Sequence, residues 1–85
     1  MISFVIMPVV FRIRGYRFFF FSNEGNEPKH IHVEKADGSA KLWLIPAVKY
    51  EYSYGFTGKE QNEILKITED RIETIKTAWN EYFKR

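Results

Sequence analysis

The fold of this chain is decided by a stretch in which apolar and polar side chains alternate on both sides of one turn. The stretch reads His30-Ile31-His32-Val33-Glu34-Lys35-Ala36-Asp37-Gly38-Ser39-Ala40-Lys41-Leu42-Trp43-Leu44. Two runs with a period of two that flank an Asp-Gly pair predict an antiparallel hairpin. Counted outward from a turn at Asp37-Gly38, the predicted pairs are Glu34 with Lys41, Val33 with Leu42, His32 with Trp43 and Ile31 with Leu44.

The alternation gives this hairpin one apolar and one polar face, because neighbouring side chains of a strand point to opposite sides. A slip of one residue would exchange the two faces, so the pattern favours a single register. The apolar face carries Ile31, Val33, Leu42 and Leu44. The other face carries His30, His32, Glu34, Lys41 and Trp43.

A further hairpin is predicted upstream of this one. Arg14-Gly15 separates the apolar runs 9–13 and 16–21, and its glycine suits the positive φ of a two-residue turn. Arg12 and Arg17 then lie opposite each other on one face. The other face carries Val9, Phe11, Ile13, Tyr16, Phe18 and Phe20.

A loop is predicted at residues 22–29, between the two hairpins. After the second hairpin, residues 48–54 are predicted to form a fifth, irregular strand. Tyr50, Tyr52 and Tyr54 alternate in it, so we expect them to share one face. Three exposed aromatic side chains would indicate a partner surface, whereas coverage by the C-terminal helix would make them part of the core. Coverage by the helix is the favoured interpretation.

The last third of the chain is predicted to be helical. Thr57 followed by Glu60 forms a capping box, which is typical of a helix start. Apolar residues then recur at helical spacing without an intervening Gly or Pro, so one continuous or gently bent helix over residues 58–83 is favoured. Two helices that meet near Glu69-Asp70 are the alternative. The charges alternate in sign, which indicates a solvated face and not a basic recognition helix.

Length and composition indicate one domain over residues 1–85. The predicted class is α+β: an antiparallel sheet of four to five strands, built from two hairpins over residues 9–54, packed on the long C-terminal helix. Eight Phe, five Tyr and two Trp supply a dense core for so short a chain. Residues 1–6 are predicted to form an N-terminal extension.

Composition also limits the class of function. A formal charge of +2 excludes the strong basic excess of a protein that binds nucleic acid by charge alone, but it leaves room for a local basic patch. The absence of cysteine excludes disulfides and thiolate metal sites and fits a cytoplasmic protein. No apolar run reaches the roughly 18 residues of a membrane span, so no membrane association is expected.

His30 and His32 are the first candidate site. They share one strand face and lie about 6.6 Å apart along the backbone. His-x-His on a strand is a known metal-ligand arrangement, but it needs a third ligand. Glu34 lies too far along the strand, so the third ligand would come from Glu24 or Glu27 of the loop, from another strand or from another subunit. The sequence by itself predicts no metal and no cofactor.

The same two histidines have two other interpretations. Imidazole titrates near neutral pH, so His30 and His32 are candidates for the catalytic acid and base of a metal-independent ribonuclease. The favoured interpretation is architectural: His30 anchors the loop by hydrogen bonding and His32 packs on Trp43.

Four residues form a candidate nucleic-acid-binding set. Arg12, Arg17 and Lys41 would contact phosphates, and Trp43 beside His32 would stack on a base. The alternative for the arginines is that they keep a hairpin soluble and protect its edge.

With these residues in view, the chain resembles a family of small prokaryotic proteins known as domain of unknown function 4160. The resemblance covers residues 7–83, and its most specific part is the Pro28-x-His30-x-His32 motif. Lys29 stands where the family usually has a second Pro or small residue. The other matching segments are Met7-Pro8, Gly15-Tyr16-Arg17-Phe18-Phe19-Phe20, Ser22-Asn23-Glu24-Gly25, Lys41-Leu42-Trp43-Leu44 and Ala78-Trp79-Asn80-Glu81-Tyr82-Phe83.

This resemblance implies no established activity and no assigned catalytic residue. It implies a component of a toxin–antitoxin-like pair, with a small protein partner encoded in the same operon and with RNA or DNA as a further ligand. The hypotheses are therefore a binding protein of this kind, a ribonuclease that uses His30 and His32, and a structural or metal-binding module that forms homo-oligomers through a sheet edge.

Overall fold

The computed structural model describes residues 6–84, in which five strands precede two helices. This is the α+β class that the sequence predicts. The strands are β1 (Ile6–Ile13), β2 (Tyr16–Phe21), β3 (His30–Lys35), β4 (Gly38–Trp43) and β5 (Lys49–Tyr54). The helices are α1 (Gly58–Asp70) and α2 (Ile72–Tyr82). Of the predicted extension, Ile6 begins β1 and residues 1–5 lie outside the described part of the chain.

The strands form one antiparallel sheet in the order β1-β2-β3-β4-β5, so β1 and β5 are its edges. One face of the sheet packs against both helices, and we call it the helix face. Its buried side chains are Tyr16, Phe18, Phe20, Ile31, Val33, Ala40, Leu42 and Leu44, which form one cluster with Phe56, Ile64, Ile75 and Trp79. Burying this much aromatic and aliphatic surface is the main source of stability for a domain of this size.

The first hairpin has the predicted turn and, next to it, the predicted register. Arg14 and Gly15 have φ values of 54° and 84°, and Arg12 pairs with Arg17. Farther along, β1 has register shifts between Met7 and Val9 and between Val9 and Phe11. As a result Val9 pairs with Phe19, and Val10 packs against the core where the sequence predicted Val9.

The second hairpin keeps both predicted faces but not the predicted partners. His30 pairs with Trp43, His32 with Lys41, and Val33 with Ala40, so the predicted pairing was wrong by two residues. The turn lies at Ala36-Asp37, with Ala36 at a φ of 52°. Gly38 belongs to β4 because the Phe56 ring packs against it: a Cβ at Gly38 would lie 2.4 Å from Cε1 of Phe56. The glycine serves this close approach, not the turn.

Strand β5 separates the three alternating tyrosines. A register shift between Lys41 and Leu42 pairs Leu42 with Tyr50 but Lys41 with Tyr52. Tyr50 therefore packs against the core and donates a hydrogen bond to the Gln61 carbonyl at 2.7 Å. Tyr52 and Tyr54 lie on the opposite face of the sheet, so the prediction that the three tyrosines share one face was wrong.

The helical segment begins as predicted. The Thr57 hydroxyl accepts from the Glu60 N–H, and the Glu60 carboxylate accepts from the Thr57 N–H. The predicted long helical segment is present as α1 and α2, which meet at Arg71, where a ψ of 24° interrupts the regular helix near the junction that the two-helix alternative placed at Glu69-Asp70. Buried Thr68 donates to the Ile64 carbonyl at 2.7 Å, a back-bond that bends helices.

Candidate functional site

The face of the sheet opposite the helix face is partly covered by the loop at residues 22–29, and we call it the loop face. It differs in kind from the helix face because it carries charged, imidazole and aromatic side chains together. These are Arg17, Phe19 and Phe21 of β2, His30, His32 and Glu34 of β3, Ser39, Lys41 and Trp43 of β4, and Tyr52 and Tyr54 of β5. The site candidates that the sequence placed on β3 and β4 all lie on this face: His30, His32, Lys41 and Trp43.

The two histidines lie deep in this face. His30 is fully buried and His32 is 5% exposed, and their ring centroids are 5.1 Å apart. They share a face as the alternation predicts. Trp43 lies beside His30, with 5.5 Å between the ring centroids, and not beside His32 as the predicted register had it.

The loop brings the Glu24 carboxylate to both histidines. Glu24 Oε1 lies 2.8 Å from Nε2 of His30 and 2.9 Å from Nε2 of His32, and Oε2 is also 2.9 Å from His32. The backbone N–H of Phe21 donates to the same Oε1 at 3.3 Å. Burial favours a higher pKa for Glu24, but hydrogen bonds from the two histidines outweigh it and hold its pKa well below its ordinary value.

The second ring nitrogen of His30 also has a partner. Its Nδ1 lies 2.8 Å from the Pro28 carbonyl oxygen, which can only accept, so Nδ1 donates. The bond from Nδ1 leaves Nε2 as the nitrogen that faces the Glu24 carboxylate. The prediction that His30 anchors the loop through hydrogen bonds agrees with these contacts.

Aromatic rings surround this cluster of Glu24, His30 and His32. The ring of His30 lies 5.0 Å from that of Trp79 of α2, and the ring of His32 lies 5.6 Å from Phe19 and 4.6 Å from Phe21. Such a shell keeps water away and strengthens the electrostatic contacts inside it. The burial of His30 also means that a substrate would have to displace the loop to reach it. The acid–base hypothesis for His30 and His32 stays a prediction, and this geometry does not favour it.

The same three side chains meet the first geometric requirement of a metal centre. One possible ligand atom from each of Glu24, His30 and His32 lies within 4.8 Å of the others. Two imidazoles and one carboxylate form a donor set that zinc and other first-row divalent metals accept. Of the two loop carboxylates that the sequence offered as a third ligand, the structure selects Glu24. Glu27 instead accepts from Lys41 at 3.0 Å.

The candidate nucleic-acid-binding residues are spread over β1, β2 and β4, and three of the four are engaged within the chain. Arg17 pairs with Glu34 and stacks over Phe19, 4.4 Å from its ring centroid. Lys41 pairs with Glu27 and lies 4.4 Å from the Trp43 ring centroid. The Trp43 Nε1–H donates to Glu51 at 2.7 Å. Arg12, on β1 opposite Arg17, is exposed.

The sequence marked the tyrosines of β5 as a candidate partner surface, but it indicated neither the stacking of two of them nor the cleft next to β5. Tyr52 and Tyr54 stack with their ring centroids 5.3 Å apart, and Tyr54 is 66% exposed. A cleft of about 410 Å³ lies where β4 is joined to β5, and Ile45 on its wall is 41% exposed. The bulge in β5 determines which face of the sheet carries the tyrosine pair. The cleft is formed by the connection between β4 and β5, whose apolar residues follow no regular period.

This geometry defines a small α+β protein with a buried carboxylate–histidine cluster on one face of its sheet. The family model described as "Domain of unknown function (DUF4160)" matches residues 15–80, and the chain belongs to this family. The family resemblance that the sequence showed is therefore confirmed. No curated protein and no solved structure matches the chain. Neither helix, within residues 6–84, is long and apolar enough to cross a membrane.

Proposed function

We propose that this chain is a cytoplasmic protein that acts by binding a small protein partner, as one component of a toxin–antitoxin-like pair. The observation that carries this proposal is the stacked pair of Tyr52 and Tyr54 on β5, in which Tyr52 is half-buried and Tyr54 is 66% exposed. Exposed tyrosines held in one geometry are typical anchors of protein interfaces, because they contribute a large contact area for little loss of side-chain entropy.

The position of these tyrosines at a sheet edge supports the same function. Among the strands that residues 6–84 form, β5 pairs with β4 alone, so one side of its backbone has no strand partner there. Such an edge accepts a strand from a partner, with backbone hydrogen bonds that supply affinity and side-chain contacts that supply specificity. The cleft beside Ile45 adds exposed apolar surface next to the first residue of β5.

The charges of the loop face favour a protein partner over nucleic acid. Two of its cations, Arg17 and Lys41, already pair with Glu34 and Glu27, and the third, Arg12, lies exposed opposite Arg17 on β1. Glu51, bonded to Trp43, adds a further carboxylate. A phosphate backbone would meet these carboxylates and would have to break both ion pairs, whereas nucleic-acid interfaces are strongly positive.

The test is co-expression of the chain with the protein encoded beside it, followed by measurement of their affinity. The Tyr52→Ser/Tyr54→Ser double variant should weaken binding by roughly 30-fold or more, as expected when a hot spot of about 2 kcal/mol is removed. The matched control is Lys66→Ser/Asp70→Ser, which removes an exposed ion pair from α1. It should bind like wild type.

The proposal fails if the tyrosine variant binds its partner as tightly as wild type does. The nucleic-acid alternative has its own signature. In that case the chain binds RNA or DNA, the affinity falls steeply with salt, and Arg12→Ser/Arg17→Ser abolishes binding. This result would show that the arginines bind nucleic acid.

A further inference from the structure

We propose that Glu24, His30 and His32 form a binding site for one divalent transition-metal ion of the zinc class, a property beyond the proposed partner binding. The ligand atoms are Nε2 of each histidine and the Glu24 carboxylate. They converge from two directions, since the histidines lie on β3 and the carboxylate on the loop that closes over them. The proposal depends on this convergence and on three further features.

The first feature is the orientation of His30. Its Nδ1 donates to the Pro28 carbonyl, which leaves Nε2 as the nitrogen that faces Glu24. Metal-binding histidines nearly always donate their other ring N–H to a carbonyl or carboxylate, because that bond fixes the ring and its tautomer. Pro28 therefore supplies the outer-shell contact that a metal-binding His30 requires.

The second feature is the concentration of polar groups in a nearly dry environment. The side chain of His30 is fully buried, that of His32 is 7% exposed and that of Glu24 is 13% exposed. Polar groups buried this deeply need partners, because little water reaches them. A metal ion satisfies all three with neutral imidazoles, which are the form in which histidine binds metal.

The third feature is how close the carboxylate already lies to both imidazole nitrogens. In a tetrahedral zinc site the ligand nitrogen and oxygen atoms are about 3.3 Å apart, given metal–ligand distances of about 2.0–2.1 Å. Here the carboxylate oxygens lie 2.8–2.9 Å from the two Nε2 atoms. An ion would therefore push the carboxylate about half an ångström from each Nε2, and Glu24 can move by this amount because it lies on a loop. The two Nε2 atoms lie within 4.8 Å of each other, so the imidazole rings would also turn toward the ion.

The donor set also determines which metals fit. Two imidazole nitrogens favour zinc, cobalt, nickel and copper over magnesium and calcium, which take oxygen ligands. Three protein ligands leave a fourth position for water or for a group of a partner, as in zinc sites that are not closed. A cavity of about 120 Å³ adjoins His32 and has room for such a group.

The experiment is a zinc titration of untagged, chelator-treated protein by calorimetry, with thermal unfolding measured in parallel. Wild type should bind one zinc ion per chain, and its unfolding temperature should rise by roughly 10 °C at about 100 times the Kd. Glu24→Gln and His32→Asn should each weaken binding by at least about tenfold, the smaller end of what losing even an outer-shell partner costs. Glu27→Gln is the matched control, because it changes a neighbouring loop carboxylate outside the donor set.

The proposal is overturned if folded wild type does not bind zinc, or if Glu24→Gln binds it as tightly as wild type. Should the variants fail to fold, nitrogen-detected NMR of wild-type protein gives the answer by itself. Zinc should shift the Nε2 signals of His30 and His32, and unchanged signals would refute the site. Cobalt should also quench the fluorescence of Trp43 and Trp79, whose rings lie 5.5 and 5.0 Å from that of His30.

Discussion

The two faces of strand β3 solve different physical problems with adjacent residues. Ile31 and Val33 point into the apolar cluster beneath the helices and are completely buried. His30 and His32 point to the other side and are almost as deeply buried, but against a carboxylate. Burial of an apolar side chain stabilises the fold against many different apolar neighbours. A buried polar cluster stabilises the fold only when each polar group has a hydrogen-bond or metal partner. The helix face is thus built for stability, and the loop face is arranged around a site.

The largest expected effect is on the helix face. Phe18→Ala should lower the free energy of unfolding by about 3–5 kcal/mol, because it removes a fully buried ring and leaves a cavity. Denaturant unfolding measures the change. Phe21→Ala, at a half-buried ring of the loop face, is the matched comparison and should cost clearly less. Equal losses at the two positions would contradict the division between the faces.

A smaller loss is expected when the polar cluster is opened. In chelator-treated protein, Glu24→Ala should cost about 2–3 kcal/mol, because it removes a charged acceptor and leaves buried N–H groups unpaired. Hydrogen exchange at residues 22–29 should become faster, since the loop loses its attachment to His30 and His32. The same truncation at Glu27, whose carboxylate is 44% exposed and bonds Lys41 of β4, is the comparison and should speed exchange less. Unchanged exchange in the Glu24 variant would show that the carboxylate does not hold the loop.

The helix face also predicts how stability depends on alkaline pH. Burial raises the pKa of Tyr50 to about 12, from an ordinary value of 10.0. A phenol whose pKa is higher in the folded state contributes stability that is complete below about pH 10 and is lost as the pH rises toward 12. Tyr50→Phe should therefore flatten the fall in unfolding free energy over this range. Tyr54→Phe, at a side chain that is 66% exposed, should leave the profile close to wild type; the reverse order would refute the assignment.

The smallest effect on stability is expected at the proposed partner surface. Tyr54→Ser should change the free energy of unfolding by no more than about 0.5 kcal/mol, because the side chain is mostly exposed and outside the core. Its affinity for a partner should nevertheless fall. A loss of stability as large as that of the Glu24 variant would mean that Tyr54 supports the fold and is not a binding residue.

The alternation in the sequence was sufficient to predict both faces of the second hairpin, because a shift of two residues leaves every side chain on its own side. It was not sufficient to predict the partners. The turn lies one residue earlier than Asp37-Gly38 because Phe56, eighteen positions away, packs against Gly38. A contact between distant residues cannot be read from local turn preferences.

The candidate site was predictable to the same extent. The two-residue spacing brought His30 and His32 to one face, and the loop offered Glu24 and Glu27 as candidates for a third ligand. The choice between them depends on how the loop folds back, with the Phe21 N–H and the Glu24 carboxylate in contact. The bulge in β5, which places Tyr50 and Tyr52 on opposite faces, has no signature in an alternating run.

The most direct test of this account is anomalous X-ray scattering at the zinc absorption edge from crystals grown with zinc. The account predicts a single strong peak bonded to Nε2 of His30, Nε2 of His32 and the Glu24 carboxylate, with the Pro28 contact to His30 intact. Folded protein whose three side chains remain hydrogen-bonded to one another, with no peak between them, would contradict it.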